Sequence, residues 1–280
     1  MTLPLPPELP LLPAPRERAL LVLMNPDASL QAYLSVVEGD PALTAAVLRA
    51  ANSAMSWPVR QIKDASEGVV RLGTAAVRHL ITATLVRSQF SSVEAAGIDT
   101  DELWRHVLGC ALLSEAQTTD ESEGRQAFTV GLLHDLGRLA MAAQAPTRYR
   151  EVVDAAQNGI SARNSERLLF GITHAEFGQR ICDRWRLPEE MGVVVGMHHD
   201  IEIADDEVPE ASPQDPVRRL AVAHWIVRGL GIGDGVHRPE RRRAEAEEHT
   251  VLERFGGRAE LMNRIRWFRD STQGRQPPAA

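Results

Sequence analysis

Histidines and carboxylates set among apolar residues are the side chains of this chain best suited to chemistry. Six of its nine histidines have this setting: His106, His134, His174, His198, His199 and His224. His134 is followed by Asp135, within Phe128-Thr-Val-Gly-Leu-Leu-His-Asp-Leu-Gly-Arg138. Imidazole nitrogens and carboxylate oxygens bind transition metals, and burying them without a partner is costly. The set therefore predicts either a metal site or an internally hydrogen-bonded polar cluster.

His106 and the His134-Asp135 pair differ in how strongly they indicate a site. Glu102, His106 and Cys110 are spaced by four residues, so they share one face of a predicted helix. A lone histidine on such an apolar face is more often a packed core residue, and a buried, inert thiol is the simpler interpretation of Cys110. Asp135 stands in a strongly apolar helix, where an unpaired carboxylate would cost several kcal/mol. We therefore expect a cation or a tight hydrogen-bond network around the His134-Asp135 pair.

A helix start positions the next candidate. Thr173 and Glu176 have the Thr-x-x-Glu spacing of a capping box, which places His174 in the first helical turn. The simpler alternative is that His174 is a surface residue following a cap.

The remaining candidates fall on two later predicted helices. The first runs over residues 188–200 and carries His198 and His199, which point about 100° apart on a helix and so suit two neighbouring ions better than one. The second begins at Asp215-Pro216, and its spacing directs His224 inward.

The elements that must position these residues are predicted to be helices throughout. Apolar residues recur at steps of three and four, as in Leu30, Leu34 and Val37. Asp27 and Asp40 occupy expected N-cap positions, the second followed by Pro41. No stretch alternates polar and apolar residues between hairpin turns. The predicted fold class is all-α, a multi-helix domain preceded by an N-terminal helical subdomain.

Composition divides the chain into four predicted segments. Residues 1–15 form an extended, proline-rich lead-in, and residues 16–97 form an N-terminal helical half without clustered ligands. Residues 98–235 contain all the candidate ligands, and residues 236–280 form a charged C-terminal helix with a frayed tail.

Composition also excludes several classes of protein. With 280 residues and 44% hydrophobic content, the chain can bury a substantial core. Its net charge is -7 and it has no sustained basic run, so direct binding to nucleic acid is not expected. The chain has two cysteines, no signal-peptide pattern and no apolar run of roughly 18 residues. These features predict a cytoplasmic protein without a membrane partner.

The order of these segments resembles the HDOD family, part of the HD superfamily of metal-dependent phosphohydrolases, over roughly residues 9 to 232. The resemblance lies in these segments: Leu9-Pro-Leu-Leu-Pro13, Asp40 to Ser53, Val69-Val-Arg-Leu-Gly73, Phe128 to Arg138, His174-Ala-Glu-Phe-Gly178, Trp185-Arg-Leu-Pro188 and His198-His199. HDOD domains are generally regulatory output modules. The related HD-GYP domains are phosphodiesterases that cleave cyclic di-GMP.

The resemblance implies one or two transition-metal ions, such as iron, manganese, nickel or zinc. The implied ligands are Glu102, His106, His134, Asp135, His174, His198, His199 and His224. Three departures weigh against HD-GYP catalysis. His224 stands where the superfamily has an Asp, Arg138 replaces a common Lys, and no Gly-Tyr-Pro loop follows His199.

Three functional hypotheses follow. The favoured one is a regulatory protein of a signalling pathway, with a metal pocket and a protein partner. The alternative is a metal-dependent phosphohydrolase acting on a nucleotide or cyclic dinucleotide, in which Asp135 would help to hold the ions and Arg138 would clamp the phosphate. The third is a metal-free helical scaffold whose polar cluster is a hydrogen-bonded network.

Overall fold

A computed structural model describes residues 14–25, 27–53, 60–89, 93–201, 203, 207–237 and 242–273. Every regular element in these ranges is a helix, and none of them contains a strand. The prediction of an all-α fold is confirmed. The predicted lead-in and frayed tail lie mostly outside the described residues, although the first helix already begins at Ala14.

The described residues form two compact units. The N-terminal unit extends to Gln89 and includes the residues from Met262 onward, and the larger unit extends from Val93 to Leu261. The segment 236–280, taken as one piece in the sequence analysis, is thus divided between the two. Its charged sequence folds into three helices rather than one, because left-handed Gly256 and Gly257 separate the last two.

Four helices form most of the N-terminal unit. They are α1 (Ala14–Met24), α2 (Leu30–Glu38), α3 (Pro41–Ala51) and α4 (Ala65–Gln89). Asp40 caps α3 as predicted, accepting the N–H groups of Ala42 and Leu43. The prediction for Asp27 is wrong, because α2 starts later and the Ser29 hydroxyl accepts the Ala32 N–H instead.

In the described part of the chain, one helix is long and apolar enough to cross a membrane by length and composition alone, contrary to the expectation from the sequence. It covers residues 65–88, and 61% of its most apolar window is buried within the protein. Gly73 interrupts it with φ 78° and ψ 163°, outside helical geometry. A mostly buried, kinked apolar helix is typical of a globular core.

The larger unit contains the remaining helices. They are α5 (Thr100–Glu115), α6 (Glu121–Leu133), α7 (Leu136–Gln144), α8 (Pro146–Gln157), α9 (Ala162–Phe170), α10 (His174–Arg184), α11 (Glu189–Met197), α12 (Pro216–Gly229), α13 (Ala244–Glu247), α14 (Thr250–Phe255) and the start of α15 (Gly257–Gln273). Helix α5 packs on α6 and α12, and α10 packs on α7 and α11. All six histidines of the cluster lie on or beside these helices.

Glycine allows α7 and α10 to approach closely. A Cβ atom on Gly137 would overlap the carbonyl oxygen of His174 and lie 2.6 Å from the Gly178 nitrogen. No side chain larger than hydrogen fits between the two helices at this point. The contact brings the first turn of α10 against the start of α7, directly after Asp135.

Two helices end earlier than predicted, and both ends fall at candidate ligands. Helix α6 stops at Leu133, so His134-Asp135 forms the turn between α6 and α7 instead of lying inside one helix. Helix α11 stops at Met197, which places His198 and His199 in the turn that follows. Because the backbone turns there, the helical angle that separated the two imidazoles in the sequence analysis does not apply.

Candidate metal centre

The six predicted histidines form one continuous cluster in the larger unit. Ring centroids lie 4.8 Å apart between His106 and His224, and 5.1 Å apart between His134 and His198. His174 lies 5.0 Å from His199, which in turn lies 4.0 Å from His198. Residues from α5, α10, α12 and two inter-helix turns thus converge on one polar pocket in an otherwise apolar core.

Hydrogen bonds at the far side of three rings leave their Nε2 atoms facing the pocket. The Nδ1 of His134 donates to the Gly131 carbonyl at 2.7 Å, and that of His198 donates to the Val195 carbonyl at 2.6 Å. Since a carbonyl can only accept, both Nδ1 atoms carry a hydrogen, and in the neutral ring the lone pair is then on Nε2. Metal-binding histidines are commonly fixed by such a hydrogen bond.

A buried carboxylate fixes the third ring. Glu166, which is fully buried, accepts both the backbone N–H of His174 at 2.8 Å and its Nδ1–H at 2.7 Å. The Tyr149 hydroxyl donates to the other oxygen of Glu166 at 2.6 Å. Burial alone would raise the pKa of Glu166, but His174 and the hydrogen bonds hold it below its usual value. The capping box of Thr173 and Glu176 forms as predicted and starts α10 at His174.

Asp135 lies between the two halves of the cluster. One carboxylate oxygen is 3.4 Å from the His134 Nε2, and the other is 3.4 Å from the His174 Nε2. Burial would raise the pKa of Asp135, but Arg138 and His134 hold it well below its usual range. The carboxylate is therefore ionised in a dry environment.

Several buried atoms in the pocket have no hydrogen-bond partner among the described residues. They are the Nε2 atoms of His134 and His198, the Nδ1 of His106 and the Oδ1 of Asp135. The Arg138 Nε lies 3.3 Å from Asp135 Oδ1, close enough for charge attraction but outside hydrogen-bond geometry. Buried polar atoms are rarely left unpaired. Lone pairs that face one another without hydrogens between them fit a cation.

Three groups in the described part of the chain place their ligand atoms within 4.8 Å of one another. These groups are His106, Cys110 and His134; His134, Asp135 and His198; and His174, His198 and His199. The first and third share no member, and Asp135 lies between them. Nitrogen and carboxylate donors with one sulphur suit borderline transition ions better than calcium or magnesium. The residues present therefore fit one or two such ions.

Two predicted ligands, His224 and Glu102, belong to none of these groups. The ring of His224 still lies 4.8 Å from that of His106, whereas Glu102 has a different partner. Its carboxylate is half-buried and accepts the Gly233 backbone N–H at 3.1 Å. Burial raises the pKa of Glu102 above its usual value. Cys110, which was not among the predicted ligands, joins a group instead, with its sulphur 3.7 Å from the His106 Nε2. Burial raises the pKa of this thiol well above its usual value.

Arg138 has its N–H groups directed into the protein. It is 1% exposed, and its Nη1 donates to Asp234 at 3.2 Å while its Nη2 lies 3.4 Å from the His174 Nε2. Burial would lower the pKa of Arg138, but Asp135 and Asp234 raise it well above its usual value. The guanidinium thus joins two aspartates to the cluster, instead of projecting toward a ligand as the enzyme hypothesis predicted.

The histidines beside the pocket are neutral at neutral pH. Burial first, and neighbouring histidines second, lower the pKa of His106 to about 4 and those of His198 and His199 well below the usual value. Burial first, and then His106 and Arg228, lower the pKa of His224 well below its usual value. Neutral imidazole is the form that binds a metal, so these four histidines could bind one without losing protons.

A cleft opens over one side of the cluster. Its volume is about 190 Å³, and His198, His199 and His224 contribute to its lining. Three arginines and one tryptophan also line it: Arg163, Arg228, Arg243 and Trp225. His224 is half-buried, so it belongs both to the cluster and to the cleft.

Sequence reasoning missed two residues that organise the pocket, Glu166 and Asp234. Glu166 has a signal in the sequence, because it is four residues from both Ala162 and Phe170, on the buried face of α9. A carboxylate on an apolar helical face needs a buried partner. Asp234 stands in a Gly-Asp-Gly loop and accepts the backbone N–H groups of Val236 and His237. No local pattern links it to Arg138, which is 96 residues away.

The chain is similar to several proteins of known sequence or structure. A crystal structure of an HDOD domain protein of unknown function from Geobacter sulfurreducens is 26% identical, with a TM-score of 0.69 over 95% of this chain and 93% of that one. A candidate phosphohydrolase from Shewanella amazonensis has the same fold, with 24% identity and a TM-score of 0.67 over 93% and 95% of the two chains. An uncharacterized protein of Treponema pallidum is 25% identical over 227 residues, which are 80% of this chain but less than half, 43%, of that protein.

The family model for the HDOD domain matches residues 9–201. The match includes both the N-terminal helices and the turns that carry His134-Asp135 and His198-His199. It confirms the resemblance drawn from the sequence motifs. The chain belongs to the HDOD domain family.

Proposed function

We propose that this chain is a cytoplasmic regulatory protein of a signalling pathway, whose histidine cluster holds one or two transition-metal ions such as iron, manganese, nickel or zinc. It acts by binding a ligand or a protein partner. One observation carries the metal proposal. Buried lone pairs on His134, His198 and Asp135 lie close together, and no described residue donates a hydrogen bond to them.

The metal-binding side chains around Asp135 form two sets, one on each side of it. On one side stand His106, Cys110 and His134, and on the other stand His174, His198 and His199. A bound ion would supply Lewis acidity toward a phosphate oxygen or a water molecule. The hydrogen bonds to Gly131, Val195 and Glu166 hold the rings in place, so little ordering is needed on binding.

Two features favour regulation over catalysis. His224 offers one neutral nitrogen where the superfamily's last ligand is an Asp, so the pocket has less negative charge to hold a multinuclear centre. Arg138 is engaged by Asp135 and Asp234 in the interior and is not among the residues that line the cleft. It is therefore poorly placed to stabilise charge developing on a phosphate.

The alternative, a metal-dependent phosphohydrolase acting on a nucleotide or cyclic dinucleotide, has one observation in its favour. The cleft gives a ligand direct access to His198, His199 and His224, and cationic side chains line it. A phosphate in the cleft would thus reach the edge of the metal pocket.

Metal analysis of freshly purified protein tests the metal pocket. We expect a stoichiometric transition metal in the wild type and its loss in a His134→Ala/Asp135→Ala variant. His249→Ala is the matched control, because this buried histidine uses both ring nitrogens in hydrogen bonds to Pro209 and Val251. Wild-type protein that holds no metal after incubation with each candidate ion would refute the proposal and leave the hydrogen-bonded scaffold.

Turnover measurements separate regulation from catalysis. Protein loaded with manganese would be incubated with a panel of nucleotides and cyclic dinucleotides, and we expect no hydrolysis. Turnover that disappears in the His134→Ala/Asp135→Ala variant would establish the phosphohydrolase instead.

A further inference from the structure

We infer that the ion which the histidine cluster holds most tightly is bound by the sulphur of Cys110 together with His106 and His134. This inference rests on the proposed function in taking the cluster as a metal pocket. The ligands implied by the family resemblance all bind through nitrogen or oxygen. A sulphur ligand would therefore be a property of this chain, and it would narrow the choice among the candidate ions.

Helix α5 brings the sulphur close to one of the imidazoles. Cys110 lies one turn after His106 on α5, and both side chains are fully buried. The Cys110 Sγ lies 3.7 Å from the His106 Nε2. Zinc binds thiolate sulphur at about 2.3 Å and imidazole nitrogen at about 2.0–2.1 Å, so two such atoms on one tetrahedral ion are about 3.6 Å apart. The sulphur and the nitrogen thus have the separation that a shared ion requires.

Close packing of α6 on α5 adds the third donor. A Cβ atom on Gly131 would lie 2.6 Å from the Ala111 Cα and 3.0 Å from the Cys110 carbonyl carbon, so only glycine lets α6 approach α5 this closely. The carbonyl group of the same glycine accepts the Nδ1–H of His134 at 2.7 Å. Gly131 therefore holds His134 beside Cys110. The ligand atoms of His106, Cys110 and His134 all lie within 4.8 Å of one another.

A hydrogen bond between the thiol and the imidazole would not satisfy this group. The Cys110 thiol is close enough to donate weakly to the His106 Nε2, and that contact alone would explain the position of the sulphur. It does not explain His134, which is 1% exposed and whose Nε2 has no hydrogen-bond partner among the described residues. Buried polar atoms are rarely left unpaired, and one ion would use the lone pairs of all three side chains.

A thiolate supplies negative charge that the imidazoles lack. Imidazole is a neutral ligand, so within this group only Cys110 can contribute a negative charge to a bound cation. The S–H proton leaves to the solvent as the sulphur–metal bond forms, so binding releases one proton for each ion. The histidines on the other side of Asp135 have no anionic member of their own. The group that contains sulphur should therefore bind its ion more tightly.

The same chemistry selects among the candidate ions. Thiolate and imidazole together favour zinc, whereas manganese prefers the oxygens of carboxylates, carbonyl groups and water. We therefore expect this group to bind zinc in preference to manganese.

Cobalt(II) is the first probe, because a bound thiolate gives it a charge-transfer absorption band in the near ultraviolet. One equivalent of cobalt is added to the whole chain after its metal has been removed. We expect the band in the wild type, its loss in Cys110→Ala and its retention in Cys182→Ala. Cys182 is the matched control, because it is the chain's other cysteine, is also buried, and belongs to none of the candidate metal groups in the described part of the chain.

Chelator competition measures the selectivity. Cys110→Ala should weaken zinc binding about 100-fold or more, because loss of a residue that only orients a ligand already costs about 10- to 100-fold. Manganese binding should fall by less than about tenfold, since manganese gains little from sulphur. Cys182→Ala should leave both affinities unchanged. An equal loss for the two ions would contradict sulphur coordination, because general damage to the pocket would not distinguish between them.

X-ray absorption at the zinc edge needs no substitution, so it decides the question even where Cys110→Ala fails to fold. In the wild type with one equivalent of zinc, we expect one sulphur atom bound to the metal. Bound zinc without sulphur, or a cobalt band that appears only with the second equivalent, would overturn the inference and leave the metal pocket standing. Absence of any bound metal would refute the proposed metal pocket as well, so the two failures are distinguishable.

Discussion

Acidification of the metal-free protein should destabilise it steeply between about pH 6.5 and about pH 4. His106 is fully buried, and its pKa falls from the usual 6.5 to about 4 in the folded state. Below pH 6.5 the unfolded chain therefore binds a proton that the folded chain does not. A difference of about 2.5 pH units at about 1.4 kcal/mol each gives roughly 3 kcal/mol of stability, present at neutral pH and lost as the pH falls toward 4.

The other cluster histidines act in the same direction. The pKa of buried His198 and those of half-buried His199 and His224 are all lowered by burial and by neighbouring histidines. Two buried imidazoles give a slope of about 2.7 kcal/mol per pH unit, and four would give about 5.4. Solvent reaches His199 and His224, so the slope should lie between these values. Folded domains have only about 5–15 kcal/mol of stability, so much of it should be gone by about pH 5.

Urea unfolding followed by circular dichroism, with a chelator present and at about pH 7, 6 and 5, measures this slope. His106→Gln should lower the slope by about 1.4 kcal/mol per pH unit, because the unfolded chain then binds one proton fewer relative to the folded chain. Cys182→Ala is the control. It also alters a buried side chain, but burial raises the pKa of this thiol to about 12, so it does not titrate in acid. Equal free energies of unfolding at about pH 7 and pH 5 would refute the argument.

Two further substitutions test how the pocket is held. Glu166→Gln should lower metal affinity about 10- to 100-fold in chelator competition, because His174 loses the carboxylate that orients its ring. Asp183→Asn, an exposed carboxylate on the same helix as His174, should leave the affinity unchanged, and an equal loss in both would contradict an orienting role. Gly137→Ala should lower the free energy of unfolding by about 3 kcal/mol or more and reduce metal content, because its methyl group would overlap the His174 carbonyl. A wild-type melting temperature for Gly137→Ala would show that the two helices can separate without cost.

Helix starts could be predicted from local patterns at several positions, although not at Asp27. Asp215-Pro216 and the Thr173/Glu176 box start α12 and α10 where expected, because capping depends on residues within one turn. The helix ends were harder. Apolar residues continue up to His134 and His198, so periodicity gave no reason to stop α6 and α11 before them. These ends matter most to the site, because each places a ligand in a turn.

Long-range partners could not be predicted in the same way. Asp234 reaches Arg138 from 96 residues away, and the sequence around it reads only as a glycine-flanked loop. The superfamily pattern directed attention to His224 on the preceding helix, where an acidic ligand is usual. The carboxylate of Asp234 supplies a negative charge near the pocket, but it pairs with Arg138 and His237 and not with a histidine of the cluster.

The charges buried in the pocket bear on how many ions it can hold. Asp135, Glu166 and Asp234 are ionised and Arg138 is cationic, while lowered pKa values keep His106, His198, His199 and His224 neutral. A first divalent ion would be attracted by the carboxylate of Asp135, which lies between the two sets of donors. A second would add further positive charge in a region of low dielectric, which is strongly unfavourable without a counter-ion. An Asp in place of His224 would supply part of that counter-charge. We therefore expect the pocket to hold one ion more tightly than two.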